Sequence, residues 1–363
     1  MQCFRLWRCG RSHSIPPPKL IALNTYLIPF VYHLFTVNTF GTFWWVLLGE
    51  WLGIGLLFFV KVLYRYLMDD SLHHSFIAID GGGTSCRFAL RLSTGVVTVR
   101  RGSANVFSAP EAALQTLNDG LAELAAQAGL DKAQLAGVPL YAGLAGVADD
   151  AIAQFVADRL PSRQVLIEDD RRAAVIGALG GRAGCLIGIG TGSFLARQSG
   201  DAITFIGGYG AVLGDEASAS WLGKGLLRRA LHVLDGLEAS SDLVEACLDE
   251  FQHKAARIVR FTVDAQPADY GVYAPQVVQA AKAGDEAGRT LMTTGAGYIG
   301  KALRAMDRRP GESICAIGGV AAHYTEFLPP DVAADMVEPQ GEALDGAMEL
   351  ARRFAVQIQQ EQA

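Results

Sequence analysis

The sequence lacks several features that would narrow its function at once. Its six cysteines, at positions 3, 9, 86, 185, 247 and 315, form no CxxC pair and stand in no Cys/His spacing of zinc-site type. That excludes a zinc module of ordinary spacing and leaves reduced thiols in a cytosolic chain as the simplest reading. There is no basic excess: 31 Lys and Arg stand against 37 Asp and Glu, a net charge of −6, so nothing electrostatic calls for nucleic acid as a partner. No GxxxxGK[ST] loop occurs and no GxGxxG opens a helix, which excludes the P-loop and the dinucleotide fingerprint. No low-complexity linker divides the 363 residues, although that length suits two domains. Lobes sharing a hinge fit this better than separate beads.

Formal charge is absent over residues 20–49, and residues 43–67 (FWWVLLGEWLGIGLLFFVKVLYRYL) carry only Glu50, Lys61 and Arg65. A membrane span needs about 20 mostly apolar residues, so residues 1–67 read either as an extension with a membrane segment or as the product of a mis-assigned start upstream of Met68. Basic residues flank the apolar part on both sides and set no orientation. The apolar part is too long and too late for a signal peptide and has no small-residue cleavage site.

After Met68 an α/β pattern begins. FIAID from Phe76 reads as a buried strand, with CRFALRL and VVTVR as antiparallel partners. SAPEAALQTLNDGLAELAAQAGL carries a Ser108-x-x-Glu111 capping box, a helical apolar period and a stop at Gly129. GVPLYAGLAG is strand into loop, DDAIAQFVADRL a helix, QVLIEDD a strand ending in acids. GCLIGIGTGSFLARQ repeats the opening hairpin in outline. Residues 215–310 read as helical, SICAIGGV as a third buried strand, and EALDGAMELARRFAVQIQQ as a final amphipathic helix.

Glycine lacks the Cβ that would keep a phosphate chain from backbone N–H groups. In DGGGT, Gly81, Gly82 and Gly83 supply such a turn and Thr84 a hydroxyl, while Asp80 at the strand end is placed to hold Mg²⁺ through water. One such loop alone is more often a tight hairpin turn. A second, GIGTGS, brings Gly190, Thr191, Gly192 and Ser193. A third strand end offers Gly318 and Gly319, where an adenosine could lie against the backbone. Three glycine-rich strand ends suit a nucleotide gripped between two lobes.

These loops, with IDGGGTSCR, GSANVF, AGLAGV, EDDRRAAVIGAL, IGTGSF, GGYGAVLGDEASASWLG, ADYGVYAPQVVQAAKAGD, AIGGVA and PQGEALDGAMELA in order, resemble the superfamily of actin, hexokinase and heat-shock chaperone ATPases. Within it the chain resembles the N-acetylglucosamine kinase group, and most closely the bacterial glucosamine kinases. The resemblance implies a two-lobed ribonuclease-H-like α/β fold with a cleft between the lobes. Residues 68–181 would form the first lobe, 182–342 the second, and the helix of 343–363 would pack back on the first. It implies transfer of phosphate from Mg·ATP to the 6-hydroxyl of glucosamine or N-acetylglucosamine in the cytoplasm, with Asp170 as the base. Asn105, Gly143, Gly146, Thr191, Asp215 and Glu216 would line the sugar site. Asp169, the nearest rival to Asp170, reads as the cap of the following helix.

Tyr209 stands where many relatives carry Trp, Ala217 turns the usual GDEGS into GDEAS, and Phe194 replaces a polar residue of some N-acetylglucosamine kinases. A second class remains: an ATPase that activates another enzyme, as the 2-hydroxyacyl-CoA dehydratase activators do, whose shared iron–sulfur cluster needs paired cysteines. The partner is expected to be a small amino sugar and not nucleic acid. A membrane would be a partner only if residues 1–67 are expressed, with the enzyme then on its cytoplasmic side. A homodimer is compatible with the sequence, which fixes no oligomeric state.

Overall fold

In a computed structural model of the protein, residues 75–362 are described; the apolar stretch 1–67 and the alternative start at Met68 lie outside the described residues. Two five-stranded sheets organise the rest. The first contains β1 (Phe76–Gly81), β2 (Cys86–Leu92), β3 (Gly95–Arg101), β4 (Leu140–Leu144) and β5 (Val165–Asp169), in the order β3-β2-β1-β4-β5. Its connections are α1 (Pro110–Ala128), α2 (Lys132–Gly137) and α3 (Asp150–Ala157), and it leads into α4 (Asp170–Leu179). The second contains β6 (Gly184–Ile189), β7 (Ser193–Ser199), β8 (Ala202–Gly207), β9 (Ile314–Ile317) and β10 (Met336–Val337), in the order β10-β9-β6-β7-β8. Between β8 and β9 run α5 (Ala219–Leu234), α6 (Asp242–Glu250), α7 (Ala255–Asp264), α8 (Pro267–Gly271), α9 (Ala274–Ala283) and α10 (Glu286–Ala305). A 3₁₀ turn (Ala321–Phe327) and α11 (Pro330–Ala333) follow β9, and α12 (Ala343–Gln362) ends the described chain.

The period of two along β1 explains its burial on both faces. Ile77 and Ile79 face a cluster with Leu117, Leu121 and Leu124 of α1. Phe76 and Ala78 face the opposite way, into a cluster with Ala347, Leu350 and Phe354 of α12. Burying a side chain such as Phe354 contributes about 1.5–3 kcal/mol, so this apolar stripe anchors α12 to the first sheet.

Helix α4 is buried along its length from Ala173 to Leu179, as expected of a helix apolar all round. Ala173 and Ile176 join the first-sheet cluster, while Ala174, Val175, Ala178 and Leu179 pack on Leu186, Ala196 and Cys315 of the second sheet. It therefore lies between the two sheets. Where it meets α12 only glycine fits: a Cβ on Gly346 would stand 1.9 Å from the carbonyl oxygen of Ala173, and one on Gly177 2.0 Å from that of Glu342. The far face of the second sheet is covered by α5 and α10, with Leu222, Leu226, Met292 and Ile299 against Ile187, Ile189 and Leu195.

One local expectation fails. No capping box forms between Ser108 and Glu111: α1 starts at Pro110 after Ala109, which makes no side-chain cap bond. The N–H groups of Phe107 and Ser108 donate instead to Oδ1 of Asn105, at 3.0 Å each. An Asx turn followed by proline at the first helical position, where no N–H is needed, takes the place of the box. The stop at Gly129 is present, in a left-handed conformation with φ 68°.

Candidate active site

The C-terminal ends of three parallel strands converge on one place. Asp80 of β1 stands beside Gly143 of β4, and Gly143 beside Glu168 of β5. The chain then passes through Asp169 into α4, whose first residue is Asp170. Between the carboxylates of Asp80 and Asp170 the sheet thus carries a glycine. A Cβ on Gly143 would lie 3.3 Å from the Cα of Asp170, so the bare backbone keeps the floor of the site open.

The two neighbouring aspartates are held differently. Asp169 caps α4: its Oδ1 accepts from the backbone N–H of Arg171 at 2.9 Å and from Nε of Arg171 at 2.6 Å. Asp170 has no such partner. Part of its surface is open, yet it is closely surrounded, and burial first, then the carboxylates of Asp169 and Asp80, push its pKa up to about 7. Arg171 and the helix backbone oppose this and lose. A carboxyl tuned to that range is suited to proton transfer at neutral pH.

Asp80 is buried, and its Oδ2 accepts from Nε and Nη2 of Arg87 at 2.9 and 2.7 Å. The other arm of Arg87 bonds Glu342, just before α12. Burial outweighs the arginine and raises the Asp80 pKa above the usual carboxylate range. Among the described residues no group of three or more His, Cys, Asp or Glu side chains is gathered to hold a metal. Mg²⁺ is commonly held by substrate phosphates, waters and one or two carboxylates. Asp80 fits that role, since Arg87 occupies Oδ2 and leaves Oδ1 without a protein hydrogen bond.

The first glycine loop closes through the N–H of Gly82 on the carbonyl of Ser85 at 2.9 Å. Gly83 and Thr84 are exposed, with open space where a Cβ on Gly83 would be. In the second loop Gly190 has the same open space and Thr191 is exposed. Gly318, at φ 91°, brings the end of β9 onto that loop: a Cβ there would lie 2.3 Å from the carbonyl oxygen of Ile189. Gly319 beside it is exposed and unobstructed.

Other predicted residues are placed with less freedom than the sequence suggested. Ser193 offers no free hydroxyl for a phosphate, because its Oγ donates to the carbonyl of Glu216 at 2.6 Å. Asn105 cannot both give and accept: its oxygen is used in the Asx turn and only Nδ2 remains. Gly146, at φ 90°, lies against it, with a would-be Cβ 2.6 Å from Oδ1 of Asn105. Asp215 is buried in a left-handed turn, φ 57°. Gly210 N–H donates to its Oδ1 at 3.2 Å, and a Cβ on Gly192 would stand 2.7 Å from its Oδ2. Burial raises its pKa. Sequence reasoning gave no role to Arg87 or Arg171. Arg87 closes the DGGGTSCR motif, which was signal enough; Arg171 reaches a strand 36 residues away, which no local pattern announces.

The family profile of the BadF/BadG/BcrA/BcrD ATPases matches residues 77–351, from β1 into α12. The chain belongs to this ATPase family. It is 30% identical over 279 residues to the glucosamine kinase GspK of Vibrio cholerae serotype O1, covering 76% of this chain and 95% of that protein. A structure from Chromobacterium violaceum, proposed to be an N-acetylglucosamine kinase, superposes with TM-score 0.68 at 28% identity, over 77% of this chain and 99% of that one. Another, from Porphyromonas gingivalis, gives 0.55 at 20% identity over 77% and 99%, and shows the shared fold.

Within this ATPase the four described cysteines, Cys86, Cys185, Cys247 and Cys315, are free and buried. Buried thiols of this kind are not presented at the surface, where a cluster shared with a second subunit would be held, so the activator reading is the less supported one. No described helix is long and apolar enough to cross a membrane.

Proposed function

We propose that this ATPase is an amino-sugar kinase, transferring the γ-phosphoryl group of ATP to the 6-hydroxyl of glucosamine, or of N-acetylglucosamine, to give the 6-phosphate and ADP. The carrying observation is Asp170: an uncapped carboxyl with a pKa of about 7, at the strand ends between two sheets that each present a glycine loop. Oδ of Asp170 takes the 6-hydroxyl proton as that oxygen bonds to the γ-phosphorus and the bond to the ADP oxygen breaks. Asp169 cannot exchange roles with it without uncapping α4.

The N–H groups of the two loops other than those of Gly82 and Gly190, which close the turns, and the hydroxyls of Thr84 and Thr191 hold the phosphates, with the adenosine along Gly318 and Gly319. Oδ1 of Asp80 would hold Mg²⁺ through water, and the ion would supply charge neutralisation of the phosphates. On the sugar side Asn105 gives its Nδ2, and Asp215 and Glu216 accept from hydroxyls or from the ammonium of glucosamine. That charge-assisted bond contributes about 1.5–3 kcal/mol and favours glucosamine over its acetylated form. Phe194 adds no polar contact for an acetamide, since its ring covers Gly188. The lobes are taken as residues 68–181, closed by α12, and 182–342, and the reaction as cytoplasmic.

The test is ADP release by the full chain with glucosamine, N-acetylglucosamine, glucose or no sugar. Release stimulated by amino sugars, glucosamine foremost, is expected. Equal release under all four conditions would overturn the kinase reading.

A further inference from the structure

Arg171 follows the proposed base directly and spans the gap between the two halves. Its Nε is fixed by Asp169 at 2.6 Å, its Nη1 donates to the carbonyl of Gly207 at 3.2 Å, and its guanidinium carbon lies 5.0 Å from the centre of the Phe205 ring. Gly207 ends β8, and Gly208 after it leaves room for the arginine: a Cβ there would stand 2.8 Å from Nη1. From this point the chain runs through residues 208–214 to Asp215. The turn is closed by Gly214 N–H on the carbonyl of Gly210 at 2.9 Å and by Gly210 N–H on Asp215 at 3.2 Å. One planar side chain therefore joins the N-terminus of α4 in the first half to the root of the Asp215 loop in the second. A guanidinium suits this, because its fork fixes direction and its planar face stacks on an aromatic ring, whereas an ammonium keeps the charge without the fork.

We propose that Arg171 is a positioning residue: by bridging Asp169 and Gly207 it makes the base-bearing end of α4 and the Asp215 loop move as one unit, so that the acceptor sugar and Asp170 stay in register as the cleft opens and closes. This rests on the kinase reading for its kinetic consequence but not for the link itself. The hydrogen bonds and ring contact of the arginine go to Asp169, Gly207 and Phe205 and to neither glycine loop, so nucleotide binding should not depend on it.

The test compares wild-type full chain with Arg171→Ala and Arg171→Lys. In the alanine variant kcat/KM for glucosamine should fall about 10²-fold, the scale of an ångström of misplacement, with KM for ATP within about twofold. The lysine variant should recover part of the loss. Amide hydrogen exchange over residues 207–215 should quicken in Arg171→Ala with the melting temperature little changed. Unchanged glucosamine kinetics, an equal rise in the KM for ATP, or a loss accounted for by a lower folded fraction would overturn the proposal. If the wild type phosphorylates no amino sugar, the kinase reading fails separately and the exchange data decide the link: protection of 207–215 that is independent of Arg171 would end it.

Discussion

The two sheets are built on one plan but use the fifth position of the opening strand for different ends. Each opens with an apolar strand, a glycine turn and two antiparallel strands, and each then adds two parallel strands on the other side of the first. At the fifth residue of the opening strand the first sheet has Asp80, paired across the hairpin with Arg87; the second has Gly188, paired with Phe194. The charged pair sits where a phosphate and its metal would be handled. The glycine lies under an aromatic ring, a Cβ there falling 2.5 Å from a Phe194 ring carbon, and the ring also meets Phe205 at 6.4 Å. A repeated fold unit can thus spend the same position on chemistry in one copy and on packing in the other.

Substitutions at these two positions should separate the roles. Asp80→Asn removes the charge proposed to hold Mg²⁺ and should lower turnover with Mg·ATP by roughly 10²-fold or more; normal turnover and an unaltered Mg²⁺ dependence would make the first loop a mere turn. Gly188→Ala should act oppositely. Forcing a methyl against the Phe194 ring should cost about 1–3 kcal/mol of stability, measured by denaturant unfolding, with turnover per folded molecule largely kept.

Asp170 gives a pH signature. Its folded pKa of about 7 lies above the unfolded value near 3.9, so the native state binds this proton more tightly. The stabilisation is complete below about pH 4 and is lost as pH rises through about 7. Asp170→Asn lacks that loss, so its melting temperature relative to wild type should rise by ~3–6 °C between pH 5 and pH 8. A gap independent of pH would mean an ordinary carboxylate.

The smallest effect is expected at Ala217, which holds φ 67° with a buried methyl. Ala217→Gly relieves about 1–2 kcal/mol of left-handed strain but gives up about 0.8 kcal/mol of methyl burial and some chain entropy. Unfolding free energies should therefore agree within about 1 kcal/mol.

The hairpins, the helical insertion and the final helix were legible because each rests on local signals: period-two strands, glycine turns, a 3.6-residue apolar stripe. Asp169 as the cap was legible too, since capping is decided within three residues; Asp170 as the base came from the resemblance alone. The capping box at Ser108 was misread because Asn105 and Pro110 offered the same backbone a competing solution. The duty of Arg171, the reach of Arg87 to Glu342, and the loss of Ser193 and of the Asn105 oxygen to internal bonds depend on partners that the sequence does not place side by side. Phe194, which the sequence marks only as the replacement of a polar residue, lies with its ring over Gly188 of the sheet.

Everything proposed for the chemistry meets at Asp170, and the most direct measurement is the turnover of Asp170→Asn on glucosamine, by ADP release at pH 8 with the folded fraction determined on the same sample. A fall of about 10²–10⁴ in kcat, in a protein at least as heat-stable as wild type and with ATP binding retained, is the expected result. Turnover equal to that of wild type would contradict it and remove the proton-accepting role from Asp170.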